Sequence, residues 1–185
     1  MEWRRWVVVW TCFLFLGWAE PDGPALTVEA IACAYPTPEL LAQFLRKQIR
    51  FETDTQLFGE PDHWQTPKEF LAQRAGDCED YALLAQAVLS KQGREAFVLS
   101  LFGPDGYAHT VCVFIEAGRY NVMNQDRIVR YRAKSLEQLA SSLYPSWSWA
   151  AVTVQAGNHG RLVHEIRNPS PAPSRFNDFG NFPFY

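Results

Sequence analysis

The sequence predicts an α+β domain, in which helices come first and an antiparallel sheet follows. Up to Gly93, apolar residues recur at the spacing of amphipathic helices. Beyond Gly93 they form short runs separated by glycine-containing turns, which is typical of strands joined by hairpins. The chain has 185 residues, 48% of them hydrophobic and 20% charged, which suits one packed domain with tails.

The composition and the motifs also exclude several classes of protein. A net charge of −3 gives no basic excess of the kind that nucleic-acid-binding domains carry, so we expect no nucleic-acid partner. The cysteines and histidines lack the spacing of a zinc site. A phosphate-binding loop and a dinucleotide-binding glycine motif are also missing from the sequence.

The first 19 residues have the pattern of a secretory signal peptide. Arg4 and Arg5 precede an apolar run from Trp6 to Trp18, and the small residues Gly17 and Ala19 stand where a signal peptidase would need them. The alternative is an uncleaved anchor, although the run is short for a spanning helix of about 20 residues. We therefore predict an exported protein, periplasmic or secreted, which contacts a membrane only if the leader is uncleaved.

The predicted domain covers residues 36–167, between two irregular segments. Residues 20–35 lack clear periodicity and contain two prolines and a glycine, so we expect an extended lead-in. Residues 168–185 contain four spaced prolines and five aromatic residues, which predicts a flexible tail because proline disfavours both helix and strand. A docking tail for a partner is the alternative.

Capping residues and turn residues set the predicted elements in order. Thr37-Pro38-Glu39 and Thr66-Pro67-Lys68-Glu69 begin helices with an N-cap residue, a proline at the first position and an early acid. Gly93 ends the third helix. The predicted helices cover 37–51, 66–74, 77–92 and 135–143, with a polar loop at 52–65. The predicted strands cover 96–102, 107–115, 120–123, 128–131, 149–155 and 161–166.

Cys78 is the first candidate for chemistry, because it lies in the first turn of the third helix. Unpaired N–H groups and the helix dipole make that end electropositive, which favours a thiolate. The neighbouring acids Asp77, Glu79 and Asp80 oppose this by raising the thiol pKa, so an imidazolium or a bound cation would have to offset them. The alternative is that Cys78 is simply a small buried side chain.

His109 is the candidate base, and the next predicted strand offers partners for its ring. Strand alternation places His109 on one face and Cys112 on the other. Either Asn124 or Asp126 could orient the imidazole, although both residues also suit a turn. An oxyanion donor could come from the Cys78 backbone N–H, with Trp64 or Gln65 as a second donor.

These residues together resemble the bacterial transglutaminase-like cysteine proteinases, of the papain and transglutaminase superfamily. The resemblance rests on Trp64-Gln65-Thr66-Pro67-Lys68-Glu69-Phe70-Leu71, on Gly76-Asp77-Cys78-Glu79-Asp80-Tyr81-Ala82, and on His109. It covers roughly residues 36–135. It implies a papain/transglutaminase-like core, in which a helix bearing the cysteine packs on an antiparallel sheet bearing the histidine.

The resemblance also implies roles for residues of this sequence. Cys78 would be the nucleophile and His109 the base. The family's third residue is usually Asp, whereas this chain has Asn124 at that position and Asp126 two residues later. Adhesin-cleaving members bind calcium through acids flanking the cysteine, and Asp77 and Glu79 match those positions. Calcium at Asp77 and Glu79 is therefore a candidate cofactor, and no cofactor is expected to be required.

Three activities fit this sequence. The first is an exported thiol hydrolase, namely a cysteine peptidase that acts on a protein or peptide through a thioester. The second is a protein-glutamine acyltransferase that passes the same thioester to an amine. The third is a catalytically silent binding domain of the same fold. Cys33 and Cys112 are candidates for a disulfide that would leave Cys78 unpaired.

Overall fold

The computed structural model describes residues 26–104, 106–156 and 159–169. The predicted signal peptide and most of the predicted tail lie outside these residues. The helices are α1 (Val28–Ala34), α2 (Pro38–Gln48), α3 (Asp54–Leu57), α4 (Pro67–Gln73), α5 (Cys78–Lys91) and α6 (Leu136–Leu143). The strands are β1 (Arg50–Phe51), β2 (Ala75–Gly76), β3 (Ala96–Phe102), β4 (Ala108–Glu116), β5 (Arg119–Asn124), β6 (Arg127–Arg130), β7 (Trp149–Ala156) and β8 (His159–Arg167).

The strands beyond α5 form one antiparallel sheet in the order β6-β5-β4-β3-β7-β8. Short turns join β4 to β5 and β5 to β6, so neighbours along the chain are neighbours in the sheet. The two-residue strands β1 and β2 pair in parallel, separately from this sheet. The predicted α+β class, with helices followed by an antiparallel sheet, is confirmed.

Both faces of the central strands are covered. On one face α5 packs over Val98, Cys112, Phe114 and Met123. On the other face α6 and the buried Trp147 cover a second apolar cluster, which includes Leu99, Leu101, Val111, Val113 and Val122. The strand alternation predicted for β4 is thus confirmed, since Val111 and Val113 face one cluster while Cys112 and Phe114 face the other. Because α5 is buried around most of its circumference, its N-terminus is fixed firmly against the sheet.

The extended lead-in predicted for residues 20–35 is wrong at its C-terminal end. Residues 28–34 form α1, whose N-cap Thr27 accepts a hydrogen bond from the Ala30 N–H at 3.1 Å. Ile31 is only 1% exposed and joins the cluster under α5. With two turns and a single fully buried residue, α1 is too short to produce a visible apolar period, which is why the sequence pattern missed it.

Other differences are smaller. The loop predicted at 52–65 contains the single-turn helix α3, and α2 ends at Gln48 rather than near Phe51. Among the helices of the described residues, none combines the length and the apolar character needed to cross a membrane.

Candidate active site

Cys78 is placed by a compact junction between α4 and α5. Arg74 ends α4 in the left-handed conformation with φ of 53°, and β2 then leads directly into α5. A Cβ atom on Gly76 would overlap the Asp80 carboxylate and would lie 2.7 Å from the Gln65 amide nitrogen. Only glycine therefore lets the chain pass this point and present Cys78 as the first residue of α5.

The Cys78 thiol has acidic and main-chain neighbours. Its sulfur donates a hydrogen bond to the Glu79 carboxylate at 3.1 Å, and the backbone of Thr110 on β4 also hydrogen-bonds to it. Burial raises the pKa of the Cys78 thiol far above its usual value, and the charges of Glu79 and Asp77 raise it further. Cys78 is therefore a neutral thiol that donates its proton to a carboxylate.

His109 lies one residue from Thr110 and is held by Asn124. Its Nε2 is 2.9 Å from Asn124 Oδ1, and the ring is only 6% exposed. Burial lowers the pKa of His109, while the Asn124 hydrogen bond and the charge of Asp77 oppose that shift. The predicted pairing of His109 with Asn124 is thus present.

Cys78 reaches this pair from the edge of β4. The pairing of β4 with β5 covers Cys112 to Glu116, so Thr110 lies beyond its end. The Thr110 main chain at this end of β4 lies close enough to the Cys78 thiol to influence its pKa. His109 and Asn124 thus pair at the end of β4 where the Thr110 backbone lies near the Cys78 thiol.

Asp126, the alternative partner for His109, is used elsewhere. Its carboxylate accepts a hydrogen bond from Arg46 Nε at 2.8 Å, and its backbone carbonyl accepts one from Arg46 Nη2 at 3.0 Å. The structure therefore brings Asn124, and not Asp126, to the imidazole.

Five carboxylates surround the start of α5, and we call them the acid cluster: Asp54, Asp62, Asp77, Glu79 and Asp80. They fall into overlapping groups, in each of which the oxygens lie within 4.8 Å of one another. Burial raises the pKa of Asp54 and of Glu79, and raises that of Asp80 to about 6. One oxygen of Asp54 and one of Asp77 are buried without a hydrogen-bond partner among the described residues.

The acid cluster fits a hard divalent cation. Its donors are carboxylate oxygens, which calcium prefers. A cation would also satisfy the two unpartnered oxygens and offset the repulsion between buried charges. The predicted ligands Asp77 and Glu79 belong to the cluster. The sequence interpretation missed Asp54 and Asp62, because they lie in a segment whose polarity indicated only a loop.

The expected oxyanion donors are otherwise engaged. The Gln65 amide nitrogen donates to Ala75 O at 3.0 Å and to Asp80 Oδ2 at 2.6 Å, so Gln65 anchors the start of α5. The Trp64 indole donates to Asp62 Oδ1 at 3.1 Å. The Cys78 backbone N–H remains the predicted donor.

The disulfide predicted between Cys33 and Cys112 is absent. Both cysteines are unpaired: Cys33 is exposed on α1, whereas Cys112 is fully buried under α5. Cys112 therefore behaves as a small apolar core residue.

Comparison with known proteins gives the family. Residues 39–138, more than half of the chain, match the family described as bacterial transglutaminase-like cysteine proteinase. No curated protein matches the chain. Among solved structures, calcium-bound LapG of Legionella pneumophila aligns with a TM-score of 0.41 and 17% identity, over 80% of this chain and 71% of that one.

Two further LapG structures from the same organism give similar values. One is described simply as LapG and the other as EGTA-treated LapG, and each aligns with this chain at a TM-score of 0.39 and 19% identity. They cover 69% and 70% of this chain, and 85% and 86% of theirs. At these TM-scores and identities, no residue role or ligand of LapG is assigned to this chain. The match over residues 39–138 shows that the chain belongs to the bacterial transglutaminase-like cysteine proteinases and is a cysteine peptidase-like enzyme.

Proposed function

We propose that this chain is an exported cysteine peptidase in which Cys78 is the nucleophile, His109 the base and Asn124 the residue that orients the base. The observation that carries the proposal is the 2.9 Å contact between His109 Nε2 and Asn124 Oδ1, one residue from the Thr110 backbone that touches Cys78. A cysteine at a helix N-terminus beside an oriented imidazole is the arrangement that nucleophilic catalysis needs.

The proposed reaction follows from this arrangement. Because the Asn124 oxygen accepts from Nε2–H, Nδ1 of His109 is the nitrogen that takes the Cys78 proton. The thiolate attacks a peptide carbonyl, and the Cys78 backbone N–H stabilises the developing oxyanion. His109 then protonates the leaving amine as the C–N bond breaks, which leaves a thioester. A water molecule, deprotonated by His109, releases the acid and restores the thiol.

Calcium is the proposed cofactor, held by Asp77 and Glu79 together with Asp54, Asp62 and Asp80. When bound, it supplies positive charge that lowers the pKa of Cys78. With Glu79 and Asp77 engaged, the acids that hold the thiol proton no longer favour the neutral thiol. In the proposed reaction the Cys78 proton leaves the Glu79 carboxylate and passes to His109.

A peptide library tests the activity. We expect the protein to cleave members of a proteome-derived peptide library in calcium chloride, and Cys78→Ala to cleave none. The neighbouring thiols supply the control, since Cys33→Ala should cleave as the unchanged protein does. Cleavage that survives Cys78→Ala would disprove the mechanism.

A labelled primary amine separates hydrolysis from acyl transfer. If the amine is incorporated into glutamine-bearing peptides in place of cleavage, the chain is an acyltransferase that uses the same thioester. If neither reaction occurs and Cys78 resists alkylation in calcium chloride, the proposal is wrong and a binding role remains.

Export rests on the pattern of residues 1–19 and belongs to the same proposal. Expression of the full chain in a Gram-negative host should yield protein in the periplasm or medium, whose N-terminus by mass spectrometry begins at Glu20. A cytoplasmic protein that keeps Met1–Arg5 would contradict it.

A further inference from the structure

The turn between β5 and β6 carries Asn124 and is held in an unfavourable conformation. Asn124 pairs with Arg127, so Gln125 and Asp126 are the two turn residues. Gln125 has φ of 52°, in the left-handed region that a residue with a Cβ adopts only at a cost. Such a conformation persists where the surroundings enforce it.

Arg46 of α2 contacts this turn from 80 residues away in the sequence. Its guanidinium grips both the carboxylate and the backbone carbonyl of Asp126, at 2.8 and 3.0 Å. Two parallel donors on one planar group fix orientation as well as distance. Since the Arg46 side chain is 59% exposed, this contact stabilises the fold little, and its effect is mainly geometric.

The contact between Arg46 and Asp126 adjoins Asn124, the residue that holds the His109 ring. Asp126 follows Asn124 by two residues, and its charge is felt by Tyr81 on α5, one turn beyond Cys78. α2 contacts the turn through Arg46, and α5 packs against β5, which leads into the turn. A change in the turn would move Asn124 Oδ1 away from His109 Nε2.

We propose that Arg46 is a positioning residue, which sets the imidazole of His109 by fixing the Gln125-Asp126 turn and thereby Asn124. This rests on the proposed function, in which Asn124 orients the base. It also gives Asp126 a role, as the residue that accepts both hydrogen bonds from Arg46.

The chain offers a matched control. Arg130 on β6 binds Glu39 of α2, so this ion pair joins the same helix to β6 rather than to the turn. The two arginine side chains are similarly exposed, at 59% for Arg46 and 56% for Arg130. Arg130→Ala removes an ion pair of similar exposure and leaves the hydrogen bonds between Arg46 and Asp126 in place.

The first readout is the rate of Cys78 alkylation by iodoacetamide against pH, in calcium chloride, with Cys33 and Cys112 replaced by alanine. We expect Arg46→Ala and Asp126→Ala each to slow alkylation near pH 6.5 by about tenfold. The alkylation rate of Arg46→Lys should lie between those of Arg46→Ala and the parent protein, because one ammonium group cannot bond to the carboxylate and the carbonyl of Asp126 in the same geometry. Arg130→Ala should react as the parent protein does.

Repeating Arg46→Ala in a protein that lacks the Asn124 side chain shows whether the effect of Arg46 on alkylation depends on Asn124. In an Asn124→Ala background, Arg46→Ala should change the rate less than about twofold, since neighbours acting through one contact are not additive. A tenfold loss in that background, or an equal loss in Arg130→Ala, would overturn the proposal.

A second readout does not depend on reactivity. In protein with ¹⁵N-labelled histidine, the two ring nitrogens of His109 should shift in Arg46→Ala towards values of mixed tautomers, and should stay unchanged in Arg130→Ala. Unchanged His109 signals in Arg46→Ala would overturn the proposal. If His109→Ala alkylates as fast as the parent, the proposed catalytic pair fails, and the nitrogen shifts still decide whether Arg46 sets the ring.

Discussion

At the residue scale, the amide of Asn124 sets what His109 can do. A neutral amide orients the ring and stabilises its charged form only modestly, whereas a carboxylate at the same place would stabilise the imidazolium strongly. In this chain the charge of Asp77, which is also a candidate cation ligand, supports the imidazolium as well. Calcium that engages Asp77 would remove part of that support while it favours the thiolate, so the Asn124 contact becomes more important when the cation is bound.

Substitutions at Asn124 should therefore move the pKa of His109 in opposite directions. Asn124→Ala removes a hydrogen bond that raises the pKa of His109, so the pKa should fall. Asn124→Asp places a negative charge about 3 Å from Nε2, and the pKa should rise by one unit or more. An NMR titration of the His109 ring signals in both variants and in the unchanged protein checks these shifts. A fall in the pKa of His109 in Asn124→Asp would contradict the assigned contact.

At the element scale, the start of α5 depends on close contact rather than on helix propensity. Gly76 has no side chain because the Asp80 carboxylate and the Gln65 amide occupy that space. These two groups bond to each other, and the Gln65 backbone N–H also donates to Asp80 at 2.8 Å. The junction thus ties the loop before α4 to the first turn of α5 and holds Cys78 in place.

Gly76→Ala should disrupt this junction. The new methyl group would displace Asp80 or Gln65, so we expect a loss of about 3 kcal/mol in the free energy of unfolding and loss of Cys78 reactivity. Gly93→Ala is the control. Gly93 has φ of 78° with no atom near the added methyl group, so that change should cost only about 1 kcal/mol through backbone strain. Urea unfolding compares the two, and equal losses would contradict the steric explanation.

The helix that the sequence interpretation missed, α1, also contributes at this scale. Ile31 fills the cluster under α5, so Ile31→Ala should lower the free energy of unfolding by about 2 to 4 kcal/mol. Cys33 lies on the exposed side of the same helix, and Cys33→Ala should change stability by less than about 0.5 kcal/mol. If both variants unfolded at the same urea concentration as the parent, α1 would not be part of the packed domain.

At the scale of the whole molecule, local signals predicted the fold and distant contacts limited the prediction of the site. Capping residues and apolar periods predicted the helices α2, α4, α5 and α6, and turn residues predicted the antiparallel sheet. Cys78 and His109 could be named because each follows a local rule for its element, whereas Asn124 and Asp126 stayed alternatives until the fold showed which one meets the ring. Arg46, Asp54 and Asp62 could not, since nothing near them in the sequence shows which turn or carboxylate they will meet.

The acid cluster gives the whole molecule an unusual dependence on pH. Buried carboxyls with raised pKa values bind more protons in the folded chain than in the unfolded chain, so stability falls as pH rises through that interval. For Asp80 the interval runs from 3.8 to about 6, and the raised pKa values of Asp54 and Glu79 act in the same direction. His109 acts oppositely below pH 6.5, because its lowered pKa favours folding as pH rises. Between pH 5 and pH 7.5 the loss is carried mainly by Glu79, because burial raises its pKa from 4.5 to about 9.

We therefore expect the melting temperature in EGTA to fall by several degrees between pH 5 and pH 7.5. In calcium chloride the fall should disappear, because the cation binds the ionised carboxylates of the folded state alone. Asp54→Asn keeps an oxygen to accept from the His63 N–H but removes one charge. It should raise the melting temperature in EGTA at pH 7.5 and reduce the stabilisation by calcium. Scanning calorimetry measures all of these, and a melting temperature that rises with pH in EGTA would show that the acid cluster does not carry the buried charge we assign to it.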